Sequence, residues 1–346
     1  MSPSAGQVVA RVPAPLLFVA SGLTQYLGAA LAIGLFTRLP AEAVGWLRLV
    51  AAALVLGAWR RPWRLAWTRS DLLGVVAFGT TLAVMNVSFY LAIERLPLGT
   101  AVAIEFIGPV AVAAITGAGW RERAGIALAA RGVVLLAGVT LSLGGPDAGL
   151  GLVLILVAAA CWAGYILLGR RVAVRGDGVT RLAVAMAAGS LVLAPFLAGR
   201  SGAVLDDWRL ALAVLAIAVM SSVIPYGLEQ VVLRKVSAAT FAVLLAMLPA
   251  TAAVIGAVVL RQWPHPVDVV GLLLVSAAIA LTSVRRRPRP SGPDESGPQP
   301  SGPDSSGPDL SGRDLSGRDS SGRDLSGRDL SGPDLSGPDS SGPHSA

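Results

Sequence analysis

In the stretch "AIERLPLGTAVAIEFIGPVAVAA" (residues 92–114) one acid, Glu105, stands midway along an apolar run, three residues before the pair Gly108-Pro109. A carboxylate inside hydrocarbon is costly to hold, so an intramembrane acid reads first as a functional group. Arg48, in "WLRLV", lies at least two turns from either end of its own apolar run and has to face the protein interior. A guanidinium can grip a carboxylate with two parallel hydrogen bonds. Glu105 and Arg48 therefore have two readings, a permanent bridge that orders helices or a pair facing a water-accessible cavity where the acid's charge changes. A third ionisable group, Glu229, is close enough in sequence to Arg234 and Lys235 to pair with them near a membrane surface.

Uncharged polar and aromatic residues cluster in the same apolar runs: Gln25 with Tyr26, Asn86 with Tyr90, Trp162 with Tyr165, and Tyr226 with Gln230. Tyr and Trp offer an apolar body with one hydrogen-bonding handle, which suits a cavity for a small zwitterion. The same residues also serve as contacts between helices. Other chemistries find no support. His265 and His344 are far apart and Cys161 is the only cysteine, so no metal or cofactor site is expected. Lys235, the only lysine, sits in "VLRKVS", which excludes a phosphate-binding loop of the G-x-x-x-x-G-K-[ST] type. Paired acids, a His/Asp set or a serine–lysine dyad at a membrane face are not evident, so an enzyme is not expected.

These residues have to be positioned by membrane helices. The chain of 346 residues is 54% hydrophobic and only 14% charged, against roughly 25% charged in soluble domains. A spanning helix needs ~20 mostly apolar residues. Such runs fall at 14–36, 40–59, 71–91, 97–117, 124–143, 150–169, 180–198, 209–231, 238–260 and 267–284. With the N terminus inside, alternation leaves 17 Lys/Arg in inner segments and 5 in outer ones. The positive-inside rule then places both termini in the cytoplasm of a bacterial inner membrane. The net charge of +7 thus reports topology and not nucleic-acid binding. Trp59, Trp63, Trp67 and Trp120 on the inner side, and Trp208 and Trp263 on the outer, fall where interfacial tryptophans belong. Residues 1–13 read as a cytoplasmic N terminus. Residues 288–346, with repeats such as "SGRDLSGRDSSGRDL", lack apolar mass and read as a disordered cytoplasmic tail.

A shift of 140 residues lays "ERLPLGTAVAIEFIGPVAVAAI" (94–115) on "RKVSAATFAVLLAMLPATAAVI" (234–255), matching Thr100 with Thr240 and Pro109 with Pro249. The expected architecture is therefore all-α integral membrane, ten transmembrane helices as two inverted five-helix repeats, 14–143 and 150–284. An odd number of spans per repeat forces the second copy to enter from the opposite side, an arrangement found in many secondary transporters. Gly108, Pro109, Pro225 and Pro249 are the candidate hinges, because a proline removes a backbone bond and loosens its helix.

The chain resembles the threonine/homoserine exporters of the EamA branch of the drug/metabolite transporters over roughly residues 14 to 285. "GLTQYLGAALA", "WLRLV", "IERLPLGTAVAIEFIGPVAVA", "CWAGYILLGRR", "SSVIPYGLEQ" and "TFAVLLAMLPATAAV" carry the likeness, in order and at similar spacing. Two positions depart: the family's usual glutamate before Pro249 is Leu248 here, and its Gly-Glu pair at the end of that helix reads Arg261-Gln262. The resemblance implies a secondary transporter exporting small amino acids by alternating access, with protons and membrane lipid as further partners. Substrate and proton pathway residues would come from Glu105, Arg48, Gln25, Asn86, Tyr90, Trp162, Tyr165, Tyr226 and Glu229. Export of another small metabolite or a drug-like amine is the alternative within the class, and a non-transporting membrane scaffold the alternative outside it.

Overall fold

The computed structural model describes residues 12–283 apart from 65–66, 117–118, 174–177, 237–239 and 241–243. The expected cytoplasmic N terminus, but for its last two residues, and the expected tail 288–346 lie outside the described residues. All regular secondary structure among the described residues is helical. Eight stretches are long and apolar enough to cross a membrane, and the helices Leu248–Val258 and Pro266–Thr282 are apolar but shorter.

We number the helices in chain order: α1 Ala14–Leu35, α2 Ala41–Arg60, α3 Arg69–Ile93, α4 in two pieces, Leu98–Glu105 and Ile107–Thr116, and α5 Trp120–Leu143. There follow α6 Ala148–Ala173 and α7 Gly178–Leu197. Helix α8 runs Trp208–Ala218, passes through a π-helical turn at Val219–Val223, and continues as Ile224–Lys235. The last two are α9 Leu248–Val258 and α10 Pro266–Ser283.

Helix starts follow local chemistry. Pro13, Pro40 and Pro97 immediately precede α1, α2 and α4, where a missing N–H costs nothing because the first turn has no intrahelical acceptor for it. Helix α3 begins with a capping box, the Thr68 hydroxyl accepting from the Asp71 N–H at 3.1 Å. Asp71 also faces the Arg181 guanidinium of α7 at 3.3 Å. Arg200 and Glu42, at the other end of α7, pair at 2.7 Å. The charged groups at helix ends are thus tied locally.

Apolar side chains are exposed along the outer helices, including Val134 and Leu141 on α5, Val153 on α6, Leu191 on α7 and Leu273 on α10. In a membrane protein that surface meets lipid. Burial separates the helices: the most apolar window of α4 is 67% buried, whereas those of α5 and α6 are 22% buried. Helix α4, which carries Glu105, therefore runs through the centre.

Small residues let helix backbones close up. A Cβ added at Gly79 of α3 would lie 2.0 Å from the Ala185 carbonyl oxygen of α7, and one at Gly189 would lie 2.1 Å from the Gly79 oxygen. On the far side Gly132 of α5 meets the Gly271 oxygen of α10, at 2.8 Å from its would-be Cβ. Without a hydrophobic drive between helices in lipid, such close backbone contact is a main source of association. Trp46 adds a long-range tie, its indole N–H donating to the Ser190 carbonyl at 2.9 Å. Of the tryptophans expected at interfaces, Trp59, Trp63, Trp120, Trp208 and Trp263 are exposed. Trp67 is half-buried, donates to the Pro62 carbonyl at 3.2 Å and lies under the Arg181 guanidinium.

Candidate functional site

The proline in α4 acts before its own position. Proline has no N–H for the carbonyl four residues back, and its ring crowds that carbonyl. The helix accordingly breaks at Phe106, between Glu105 and Ile107, with Pro109 in the first turn of the second piece. The break thus lies three residues before Pro109, which was named as a candidate hinge. A like interruption recurs 140 residues on: regular helix is interrupted at Ala246 and Met247, and Pro249 falls in the first turn of α9. In α8 the turn preceding Pro225 is widened into the π-helix at Val219–Val223, a geometry common at functional sites.

All three irregular turns border one cavity of about 190 Å³. Helix α1 contributes Gln25 and Tyr26, α2 Arg48, α3 Met85, Asn86 and Phe89, and α4 Glu105. The rest comes from Trp162 and Tyr165 of α6, Ser221, Pro225 and Tyr226 of α8, and Leu245 and Leu248 flanking the second break. Glycines of α1 bring the neighbours in: a Cβ at Gly28 would lie 3.0 Å from the Ser221 Cβ, and one at Gly22 would lie 2.9 Å from the Leu248 Cδ2.

Among the described lining residues, Glu105 is the one acid and Arg48 the one base. They do not form the permanent bridge. Arg48 donates from Nη2 to the Asn86 Oδ1, and Asn86 is fixed in turn by donating Nδ2 to the Leu82 carbonyl at 2.7 Å. The guanidinium lies 5.1 Å from the centre of the Tyr90 ring, and its Nε is buried with no hydrogen-bond partner among the described residues. Glu105 is only 9% exposed and makes no hydrogen bond or ion pair with a described residue. A buried polar group without a partner forfeits its solvation. Both groups are thus left with bonding capacity in a shared cavity.

Aromatic contacts hold the walls. Phe106, at the α4 break, meets Trp162 edge-on with ring centres 4.7 Å apart, and Tyr165 stacks on Phe78 at 4.7 Å.

Gln25, Asn86, Trp162, Tyr165 and Tyr226, named as pathway candidates, therefore share the cavity with Glu105 and Arg48, and Pro225, named as a hinge, lines it too. Tyr90 does not line the cavity: it is fully buried behind Arg48, with its hydroxyl unpartnered. Its spacing from Asn86, one helical turn, placed it on the correct face but one layer too deep. Pro109 and Pro249 shape the walls without lining them, and Gly108 packs against the Ala159 carbonyl oxygen of α6, 2.2 Å from its would-be Cβ. The side chains of Glu229 and Gln230 lie outside the described residues. Sequence reading missed Met85, Phe89 and Leu245, whose types carry no polar signal, and Ser221, whose hydroxyl is spent on the Ile217 carbonyl of its own helix. The turn-by-turn spacing Met85–Asn86–Phe89 was the usable hint for the first two.

Residues 149–284 match the EamA-like transporter family. Over a longer reach, the chain is 35% identical across 280 residues to the threonine/homoserine exporter RhtA of Salmonella typhimurium, covering 80% of this chain and 94% of that protein. The chain belongs to the RhtA-type exporters of the EamA-like transporter family. The RhtA protein of Escherichia coli strain K12 is 36% identical over 267 residues, covering 77% of this chain and 90% of its own. An uncharacterized transporter of Archaeoglobus fulgidus is 27% identical over 169 residues, covering 48% of this chain and 58% of its own. The RhtA-type relatives are transporters and not enzymes, and the apolar helices make this chain a multi-pass membrane protein.

Proposed function

We propose that this RhtA-type protein is an inner-membrane secondary transporter that exports small amino acids of the threonine/homoserine kind by alternating access in exchange for protons. The observation that carries the reading is the central cavity, which presents one unpaired buried acid, Glu105, and one arginine, Arg48, with a free Nε. A zwitterion has a carboxylate for Arg48 and an ammonium for Glu105, and the cavity's volume of about 190 Å³ admits a small one. Asn86 and Tyr90 orient the guanidinium as positioning residues. Glu105, able to exchange a proton for the cargo's ammonium, is the coupling acid.

The architecture behind this reading is two inverted five-helix repeats, 14–143 and 150–284, with both termini in the cytoplasm. Breaks at Phe106 and at Ala246–Met247, 140 residues apart like the sequence repeat, support it. So does the family match over 149–284, which coincides with the second half. Broken helices at corresponding positions of two halves mark the substrate site in such transporters.

One feature favours a second cargo within the class. The wall carries Tyr26, Phe89, Trp162, Tyr165 and Tyr226, and Leu248 stands there in place of an acid. That surface also suits an aromatic or drug-like amine. Purified protein in vesicles loaded with labelled threonine, homoserine, phenylalanine or an aromatic amine separates the two. Efflux of the first pair above protein-free vesicles is expected, efflux of the second pair alone would move the assignment, and efflux of none would refute transport of these classes.

A further inference from the structure

Four prolines among the described residues stand inside helical runs, Pro109, Pro195, Pro225 and Pro249. Each deprives the carbonyl four residues earlier of its regular donor. For Pro195 that carbonyl belongs to Leu191, on the exposed outer surface. For the other three it belongs to Glu105, Ser221 and Leu245, and all three residues line the central cavity. Three different helices therefore each bring to the same 190 Å³ space a residue whose carbonyl lacks its regular donor, and one of the three is Glu105 itself.

Inside a membrane a backbone carbonyl without a donor is tolerated where it lines a cavity and finds another partner. A proline that served only as a kink would have no reason to put the residue four positions earlier on the cavity wall, yet three of the four do so. A primary ammonium group carries three donors and no acceptor. Three carbonyl oxygens and one carboxylate meet that demand in number and in charge, and hydrogen bonds from a charged donor are the stronger kind.

We infer that the cavity contains an ammonium subsite built from the main-chain carbonyls of Glu105, Ser221 and Leu245 together with the Glu105 carboxylate. The prolines are then recognition elements as well as hinges, because they deny those oxygens their regular helical donor. Discrimination for an amine over a hydroxyl at the same position of the cargo comes from the backbone, which substitution of lining side chains leaves in place. This inference rests on the transporter reading for its cargo, but the subsite is testable without it.

The test uses the purified full-length protein and methylammonium as probe, with tetramethylammonium, which has no N–H, as control. Saturable thermal stabilisation by methylammonium alone is expected for wild type. Pro109→Ala, Pro225→Ala and Pro249→Ala each return an N–H to the carbonyl, and each is expected to raise the half-saturating concentration about tenfold, near 1.4 kcal/mol by the usual conversion. Alanine is tolerated in helices, so folding is retained; unchanged detergent-phase elution checks it. Should a variant fail to fold, comparing labelled threonine with its 2-hydroxy analogue on wild type gives the second readout, with the amine expected to bind at least tenfold tighter. Equal responses to methylammonium and tetramethylammonium, or variants with unaltered methylammonium response, would overturn the inference. Methylammonium binding without threonine binding would leave the subsite standing and remove threonine as cargo.

Discussion

Replacing Gly108 by alanine isolates close packing from hinge freedom. The glycine has no left-handed backbone requirement, so alanine is not strained by its conformation. Its added Cβ would nonetheless fall 2.2 Å from the Ala159 carbonyl oxygen, 3.0 Å from the carbonyl carbon and 3.3 Å from the Ala163 nitrogen, all backbone atoms of α6. Backbone cannot rotate away, so α4 must retreat by about 1 Å to reach an ordinary contact. Overpacking of this kind costs about 1–3 kcal/mol. The retreat begins two residues from Phe106, whose ring meets Trp162 on the cavity wall. Gly138, on α5, has no atom within 4 Å of its would-be Cβ; there alanine gains about 0.5–1 kcal/mol of helix preference. Unfolding of both variants in mixed micelles, alongside efflux from vesicles, makes the comparison. Gly108→Ala is expected to lose stability and to slow efflux at least several-fold, with Gly138→Ala at or above wild type in both. Equal behaviour of the two would refute the packing argument and return Gly108 to a hinge or to no role.

Arg48→Lys keeps the charge but loses the forked geometry and the planar contact with Tyr90; cargo half-saturation is expected to rise about tenfold with the maximal rate less affected, read from concentration-dependent exchange. Gly79→Leu, against the Ala185 carbonyl, is expected to prevent α3 and α7 from closing and to abolish folded protein in detergent, checked by size-exclusion profile. Leu248→Glu in a Glu105→Gln background returns an acid to the same cavity, and part of the proton-driven efflux is expected to return; its complete absence would mean that the acid's position on α4 is essential.

The membrane class and the polar lining were legible because apolar run length and isolated polar residues each have a strong physical cause. Glu105 and Arg48 stood out for the cost of burying charge. Their separation did not: whether Arg48 turns to Glu105 or to Asn86 depends on side-chain geometry across two helices, which spacing along one chain does not encode. Tyr90 went one layer too deep for a related reason, since helical periodicity gives a face but not a depth. Ser221 and Leu245 were invisible because their contribution is through main-chain position beside Pro225 and Pro249. The helix breaks one turn ahead of the prolines follow from the clash with the earlier carbonyl, a rule that the positions of the prolines alone already contained.

The most direct test of the central claim compares wild type with Glu105→Gln in vesicles loaded with radiolabelled threonine or homoserine under an imposed pH gradient. The account predicts gradient-driven efflux by wild type that collapses in the variant, while cargo exchange at equal pH survives. Identical gradient-driven efflux by the two proteins would contradict it, since Glu105 would then not carry the coupling proton.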